Sequence, residues 1–320
     1  MNIAKPLSKI AAIALFSAVF ACGAGGSKAS DVVVEEGYKA GPWFDIAGDA
    51  EPQSVAAGAF LSCGLTFHSA PTFSPDGKEA YWSLQDGSTF VLRYSRLEGA
   101  TWTKPVVPSF SEDGLGDDSP TLSPDGTMIV FVSSRNDAGG PGDKERIWYA
   151  TRPIGGDWTS PRILPDSVNS MPDIHWQLGL NARGDLFFAS GMDTGPTPAD
   201  IWVAKFDGGT WGNPERLSRD VNSEFAYDGT PYVWPDGSLL VFARLDAKAG
   251  RSFLFASAAR DDGSWTAAKS IDAIIPPTGF CLCPQITVDG SRVFWLDTDG
   301  GTHKLFARGS IGALLRKALK

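Results

Sequence analysis

Five stretches decide the fold: APTFSPDG at residues 70–77, SPTLSPDG at 119–126, LGLNARG at 178–184, TPYVWPDG at 230–237 and CPQITVDG at 283–290. The third is degenerate but keeps the spacing. A second set of anchors runs in register with them: Trp102, Trp158, Trp211 and Trp265, separated by 56, 53 and 54 residues. Self-similarity at such a period marks a chain of stacked supersecondary units. Between the anchors each unit carries two apolar runs, such as MIVFVSS then RIWYATR, or LLVFAR then SFLFASA. Pro-Asp-Gly supplies the fixed φ of proline and the glycine tolerance of positive φ that a tight reversal needs. Each unit therefore reads as four strands: one ending at Pro-Asp-Gly, one just after it, one carrying the aromatic pair, and one opening at the Trp. Four short strands per unit is a propeller blade.

The sequence thus predicts an all-β fold, a β-propeller of four-stranded blades, over residues 41–310. Five blades are counted, with a sixth, poorly marked one in residues 31–65 as the alternative. The fifth unit lacks a Trp-Pro strand and runs instead into IGALLRKALK, a C-terminal tail at 311–320. Upstream, GPWFDIAG (41–48) resembles the missing strand when set beside GTWGNPERL and GDWTSPRIL. An N-terminal strand is expected to close the last blade, which would leave the ring without an open edge.

The first 22 residues read as an export signal. Lys5 and Lys9 precede an apolar run, Ile10 to Phe20, too short to span a bilayer. The run ends in Val19-Phe20-Ala21-Cys22 followed by Gly23, which resembles a bacterial lipobox with Cys22 as the lipid-modified first residue; Phe20 is bulky for that motif, and plain cleavage near Ala21 is the alternative. Gly23 rather than Asp fits sorting to the outer membrane. Residues 23–40 read as a tether. A formal net charge of −9 argues against sequence-independent nucleic-acid binding. The body is expected to be a monomer that meets the membrane only through its lipid.

Strand alternation sends the Pro-Asp-Gly turns to one end of the ring and the long loops to the other, among them RNDAGGPGDKE (135–145), MDTGPTPA (192–199) and PDSVNSMPDIHW (165–176). Loops on a rigid scaffold are where binding residues concentrate. Three residues before each aligned Pro, or Leu178 in the third unit, stand His68, Asp117, His175, Asp228 and Cys281. No cofactor is expected, but these are metal-ligand types, and a metal in the funnel is the alternative. The competing reading has them hydrogen-bonding the neighbouring blade. Asp118, Asp173, Trp176, Glu224 and Tyr227 lie close by in sequence and complete a ligand-binding funnel suited to a sugar, a peptide or a cation.

Beyond Cys22 the chain has Cys63, Cys281 and Cys283, and an exported chain favours oxidised pairs. Cys63 enters the first blade and Cys281 the last. A bridge from Cys63 to Cys281 or Cys283 would lock the seam; a Cys281–Cys283 bridge and a zinc site with His68 are the alternatives.

Catalytic signatures are sparse. FDGGTW (206–211) is one residue short of a sialidase Asp-box, and no Ser-His-Asp elbow, HExxH helix or phosphate loop occurs. Asp117, Asp173, Glu224 and Asp228 could supply an acid and a base across the funnel.

The SPDG repeats, the VNS segments at 168–170 and 221–223, the Gly-rich stretch before RIW and the DIW at 200–202 resemble the WD-like propeller repeat of TolB-type periplasmic proteins. The resemblance covers roughly residues 66–308. It implies a propeller in the bacterial cell envelope that scaffolds a protein partner or binds a peptide or glycan, although TolB-type propellers usually have six blades. A binding module is therefore the expected function, and a glycoside hydrolase or lyase the alternative.

Overall fold

The computed structural model describes residues 37–142, 144–171, 174–191, 199–246, 249–299 and 302–320, without the side chains of 174–176 and 299. Five antiparallel sheets surround one axis. From the axis outward, blade 2 runs Asp118–Leu122, Met128–Ser133, Arg146–Thr151 and Arg162–Ile163. Blade 3 runs Ile174–Leu180, Leu186–Ser190, Asp200–Ala204 and Glu215–Arg216, and blade 4 runs Tyr227–Val233, Leu239–Asp246, Arg251–Ala258 and Lys269–Ser270. In blade 1 the inner position is shared by Thr66–Phe67 and Thr72–Phe73, both paired with Glu79–Asp86. Thr89–Glu98 and Thr101–Thr103 follow, and Gly37–Lys39 adds an outermost strand from within the stretch read as tether.

Blade 5 is completed from the other end of the chain. Leu282–Ile286, Arg292–Asp299 and Thr302–Gly309 are joined by Gln53–Ser54, which pairs with Phe306 and Ala307. The closure is as expected, but the segment is not. Residues 41–48 cannot serve as a strand because Trp43, Phe44 and Asp45 take left-handed φ values of 53°, 54° and 60°. They form a tight turn that drops Trp43 onto the first Pro-Asp-Gly turn, where its N–H donates to Gly77 O at 3.1 Å. In blade 1 the fourth strand contains Trp102, but in blades 2 to 4 it begins later than the Trp. Trp211 and Trp265 make only isolated bridges, to Phe206 and Ala259, and the paired residues come after them.

Those three Trp anchors join blades instead. Trp158 Nε1 donates to Tyr81 Oη of blade 1 at 3.2 Å, Trp211 packs edge-on against Tyr149 of blade 2, and Trp265 against Phe187 of blade 3. Trp82, Trp102 and Trp295 are fully buried, and burial of a ring this size contributes roughly 4–6 kcal/mol of transfer free energy.

Each turn rests on its neighbour. In blade 2, Gly126 N–H donates to Ser123 O at 2.8 Å while Ser123 Oγ donates to Asp125 and accepts the Met128 N–H. A Cβ on Gly290 would lie 2.4 Å from the Trp234 ring of blade 4, and one on Gly77 2.1 Å from Trp43. Glycine is required there by close approach as well as by positive φ. The C-terminal residues form a helix, Ile311–Ala318, whose Gly312 N–H donates to Gly290 O at 3.0 Å and whose Ile311 and Leu315 are buried.

Candidate functional site

Antiparallel alternation separates two ends of the axis, a turn end carrying the Pro-Asp-Gly reversals and a loop end carrying the links between blades. Each inner strand starts at the loop end and carries a bulge before the axis. Register shifts fall between Asp118 and Thr121, His175 and Gly179, Gly229 and Tyr232, and Leu282 and Gln285. Ser119, Thr230 and Cys283, each followed by proline, take left-handed φ values of 51°, 47° and 54°. Such a conformation costs a non-glycine residue about 1–2 kcal/mol. Hydroxyls of the preceding blade hold two of these bulges, since Ser119 N–H reaches Ser83 Oγ at 3.3 Å and Cys283 N–H reaches Thr230 Oγ1 at 3.2 Å.

The described members of the His68–Asp117–His175–Asp228–Cys281 series are all buried. His68 stacks on Phe90, and its Nδ1 lies 2.8 Å from Asp118 Oδ1 across the boundary between blades 1 and 2. Ser83 Oγ donates to the same carboxylate at 2.6 Å. Burial alone would raise Asp118, but the adjacent His68 and the bonds from His68, Ser83 and Ser119 hold it below the usual carboxylate range. Asp117 accepts from Ser111 Oγ at 2.5 Å and forms an ion pair with buried Arg135, whose guanidinium lies over Phe131 and Trp148; burial pushes this carboxyl up. Asp228 accepts from Arg244 Nε and from the Ser223 N–H, both at 2.6 Å, and burial raises it to about 6 despite Arg244.

A common role emerges. Ser111 and Ser223 belong to the links entering blades 2 and 4, so each carboxylate fastens the incoming link to the blade it enters. Asp297 does the same for blade 5 by accepting the N–H groups of Thr278 and Gly279 at 2.7 and 2.9 Å. The VNS segments work one layer further out. Asn222 accepts the Ile201 N–H at 2.7 Å and donates to Ile201 O and Leu217 O, and Asn169 repeats this with Ile147 and Leu164.

Of the other expected site residues, Tyr227 is buried and Glu224 is exposed. Next to Glu224 stands Phe225, which is 79% exposed. Asp173 lies outside the described residues, as do the side chains of His175 and Trp176 and the whole of Cys22. Among the described residues no group of three or more His, Cys, Asp or Glu side chains gathers as a metal site.

The expected disulfide is not formed. Cys63, Cys281 and Cys283 are free thiols. Cys63 caps the helix Gly58–Ser62 in a left-handed conformation, its thiol near Phe60 O and Leu61 O, within the field of Arg93 and Lys104 of blade 1. Cys281 is sealed beside Asp297 and Asp272, and the Cys283 thiol donates to His68 O at 3.7 Å. Burial pushes all three thiols up, which keeps them protonated and slow to oxidise.

Sequence reasoning missed the arginines that pair with the loop-end carboxylates, and it missed the axis itself. Along the axis Gln177 of blade 3 donates from Nε2 to Pro284 O of blade 5 at 2.5 Å, bridging two non-adjacent blades. Below it, at the turn end, a recess is lined by Thr72, Thr121, Tyr232 and Gln285, each one residue after its aligned Pro.

No family model matches this sequence, and no curated protein matches it. Solved structures do share its shape. The putative TolB from Agrobacterium tumefaciens aligns at 19% identity over 78% of this chain and 79% of that one, with a TM-score of 0.50. The catalytic domain of the Coprinopsis cinerea GH62 alpha-L-arabinofuranosidase aligns at 13% identity over 85% and 96%, with a TM-score of 0.52. The endo-arabinase from Bacteroides thetaiotaomicron aligns at 13% identity over 76% and 94%, with a TM-score of 0.50. What they share with this chain is the propeller. One architecture thus serves both TolB-type proteins and glycosidases, so function must be argued from the site.

Proposed function

We propose that this protein is a cell-envelope binding module, held by a lipid on Cys22, whose loop end recognises a protein, peptide or glycan partner. One observation carries the reading: Asp117, Asp118 and Asp228, the described inner carboxylates of the loop end, are buried and engaged with Arg135, His68 and Arg244, whereas Phe225 stands exposed on the rim beside Glu224. Hydrolysis of a glycosidic bond needs two carboxyl groups that can reach the bond. Recognition needs an aromatic face and a hydrogen-bonding neighbour, which Phe225 and Glu224 supply. A single chain suffices for it, in keeping with a monomer.

Glycan and peptide arrays probed with the mature protein test this directly. Bound ligands should be lost in a Phe225→Ser, Glu224→Gln variant that melts like the wild type. Turnover of a bound glycan that disappears on changing Asp117, Asp173, Glu224 or Asp228 would replace recognition with hydrolysis. For the anchor, Cys22→Ser should release the protein from the membrane fraction. Retention of that variant without any acyl mass would dismiss the lipid.

A further inference from the structure

Two of the chain's three histidines meet where the ring closes. His303 sits on the third strand of blade 5, and its ring bonds the backbone of Phe67 in blade 1. The next residue, His68, reaches on to Asp118 of blade 2, while Cys283 of blade 5 donates its thiol to His68 O. Both rings are buried, His303 at 7% and His68 at 1% exposure. Other joints in the ring are made by groups that do not titrate. Between blades 4 and 5 Ser252 Oγ donates to Cys281 O at 2.8 Å, and between blades 2 and 3 Thr121 Oγ1 donates to Leu178 O at 2.7 Å.

Strand alternation fixes which charges His303 feels. Thr298, its cross-strand partner, shares its face. Asp297 and Lys304 pair on the opposite face, where Asp297 binds the Thr278 and Gly279 N–H groups, and Arg308 follows them to Ile274 O and Glu51. On the blade 1 side Thr66–Phe67 carries no charge, and Asp86, at the end of the strand behind it, is exposed to water. The closing strand Gln53–Ser54 is uncharged as well. His303 therefore faces the charge of His68. Burial first and that neighbour second hold His303 down to about 4, against the Phe67 bond, which works the other way. A proton on His303 makes a buried cation beside another histidine, a state that access to water relieves. The ties from Trp43 N–H to Gly77 O, Trp102 Nε1 to Gly41 O and Gly309 N–H to Ala50 O hold the same joint toward its turn end and involve no titrating group.

We propose that the joint between blades 5 and 1 is an acid-operated latch: protonation of His303 opposite His68 parts Thr302–Gly309 from Thr66–Phe67, starting at the loop end, while blades 2 to 4 stay closed. The proton comes from solvent and no covalent bond other than the new N–H is made. His68 keeps Asp118 in both states, because that pair joins blade 1 to blade 2 and not to blade 5. Opening uncovers the Cys283 thiol, which lies against His68 O in the closed ring. The latch depends neither on loop-end recognition nor on the lipid.

The test is amide hydrogen exchange at pH 7.5 and 4.5, with the intrinsic pH dependence of exchange removed. A histidine that titrates near 6.5 when the joint is open and near 4 when it is closed should raise the open population about 70-fold at the lower pH. Peptides covering 66–68 and 302–309 should lose protection by that factor, while those covering 128–133, 186–190 and 239–246 keep theirs. 4,4′-Dithiodipyridine, which reacts with thiols in acid as well as at neutral pH, should label Cys283 at pH 4.5 and spare it at pH 7.5. His303→Asn, which keeps a neutral hydrogen-bonding side chain, should abolish both changes. Phe225→Ser should open like the wild type, so the latch and the loop-end reading fail separately. If His303→Asn does not fold, the pattern in the wild type still decides. Protection lost alike in all five blades, protection kept at the joint at pH 4.5, or opening that persists in a folded His303→Asn would overturn the proposal.

Discussion

Asp228 shows how a residue with a ligand's chemistry is put to work inside the fold. Its carboxylate is fully buried and pairs with Arg244, which also donates to Val221 O at 2.5 Å and stacks over Phe255 at 4.4 Å. Removing one partner of a buried pair strands the other, at a cost of about 3 kcal/mol. Asp228→Ala should therefore lower the melting temperature sharply, and an unchanged melting curve would mean that the pair is not structural. His303 gives a second handle. Burial, helped by His68, lowers it from 6.5 to about 4, so the unfolded chain binds a proton that the native state refuses. The stabilisation is complete above pH 6.5 and is lost as pH falls from there through about 4, a span worth roughly 3 kcal/mol. His303→Asn should flatten the stability profile over that window when denaturant midpoints are compared pH by pH. Asp228 works in the opposite sense: its stabilisation is present below 3.8 and is lost as pH rises through about 6. Asp228→Asn and His303→Asn should thus move the profile in contrary directions.

At the scale of the element, the repeat was legible where it is written in backbone requirements and illegible where it is written in packing. Pro-Asp-Gly marked its turns because φ at proline and glycine is set locally. GPWFDIAG was misread because a Trp followed by apolar residues looks alike as a strand or as a turn pressed beneath a blade. What decides is that Trp43 finds Gly77 below it and Arg292 above it, a guanidinium 4.3 Å from the ring. Neither partner is near in sequence. The true closing strand, Gln53–Ser54, has no pattern of its own, being two exposed residues that pair with Ala307 and Phe306. The VNS segments were seen as family marks, and their physical content is the asparagine, which pairs with a third strand as a further strand would. Asn222→Ala removes three buried hydrogen bonds and should cost about 2–4 kcal/mol, whereas Ser223→Ala next to it should cost far less in the same urea titration.

For the whole molecule, fold and site differ in how much of them a single sequence reveals. The five-bladed ring followed from counting anchors, and the loop end followed from strand alternation. The loop-end series at His68, Asp117, His175, Asp228 and Cys281 comes from alignment, but whether such residues face a ligand or a neighbouring blade depends on partners such as Arg135 and Arg244, which carry no motif. Ring closure needs no covalent bond. Alkylation of the unfolded chain without reductant should label Cys63, Cys281 and Cys283 alike, and protection of any pair would show a disulfide where the structure has free thiols. The loop end divides into buried carboxylates that hold the blades and an exposed rim at Phe225 that is proposed to recognise a partner. The most direct test measures melting temperature and array binding on Asp228→Asn and on Phe225→Ser side by side. Asp228→Asn should shift the melting curve and, below it, still bind, while Phe225→Ser should melt like the wild type and bind nothing. The reverse pattern, recognition lost with Asp228 and untouched by Phe225, would contradict that division.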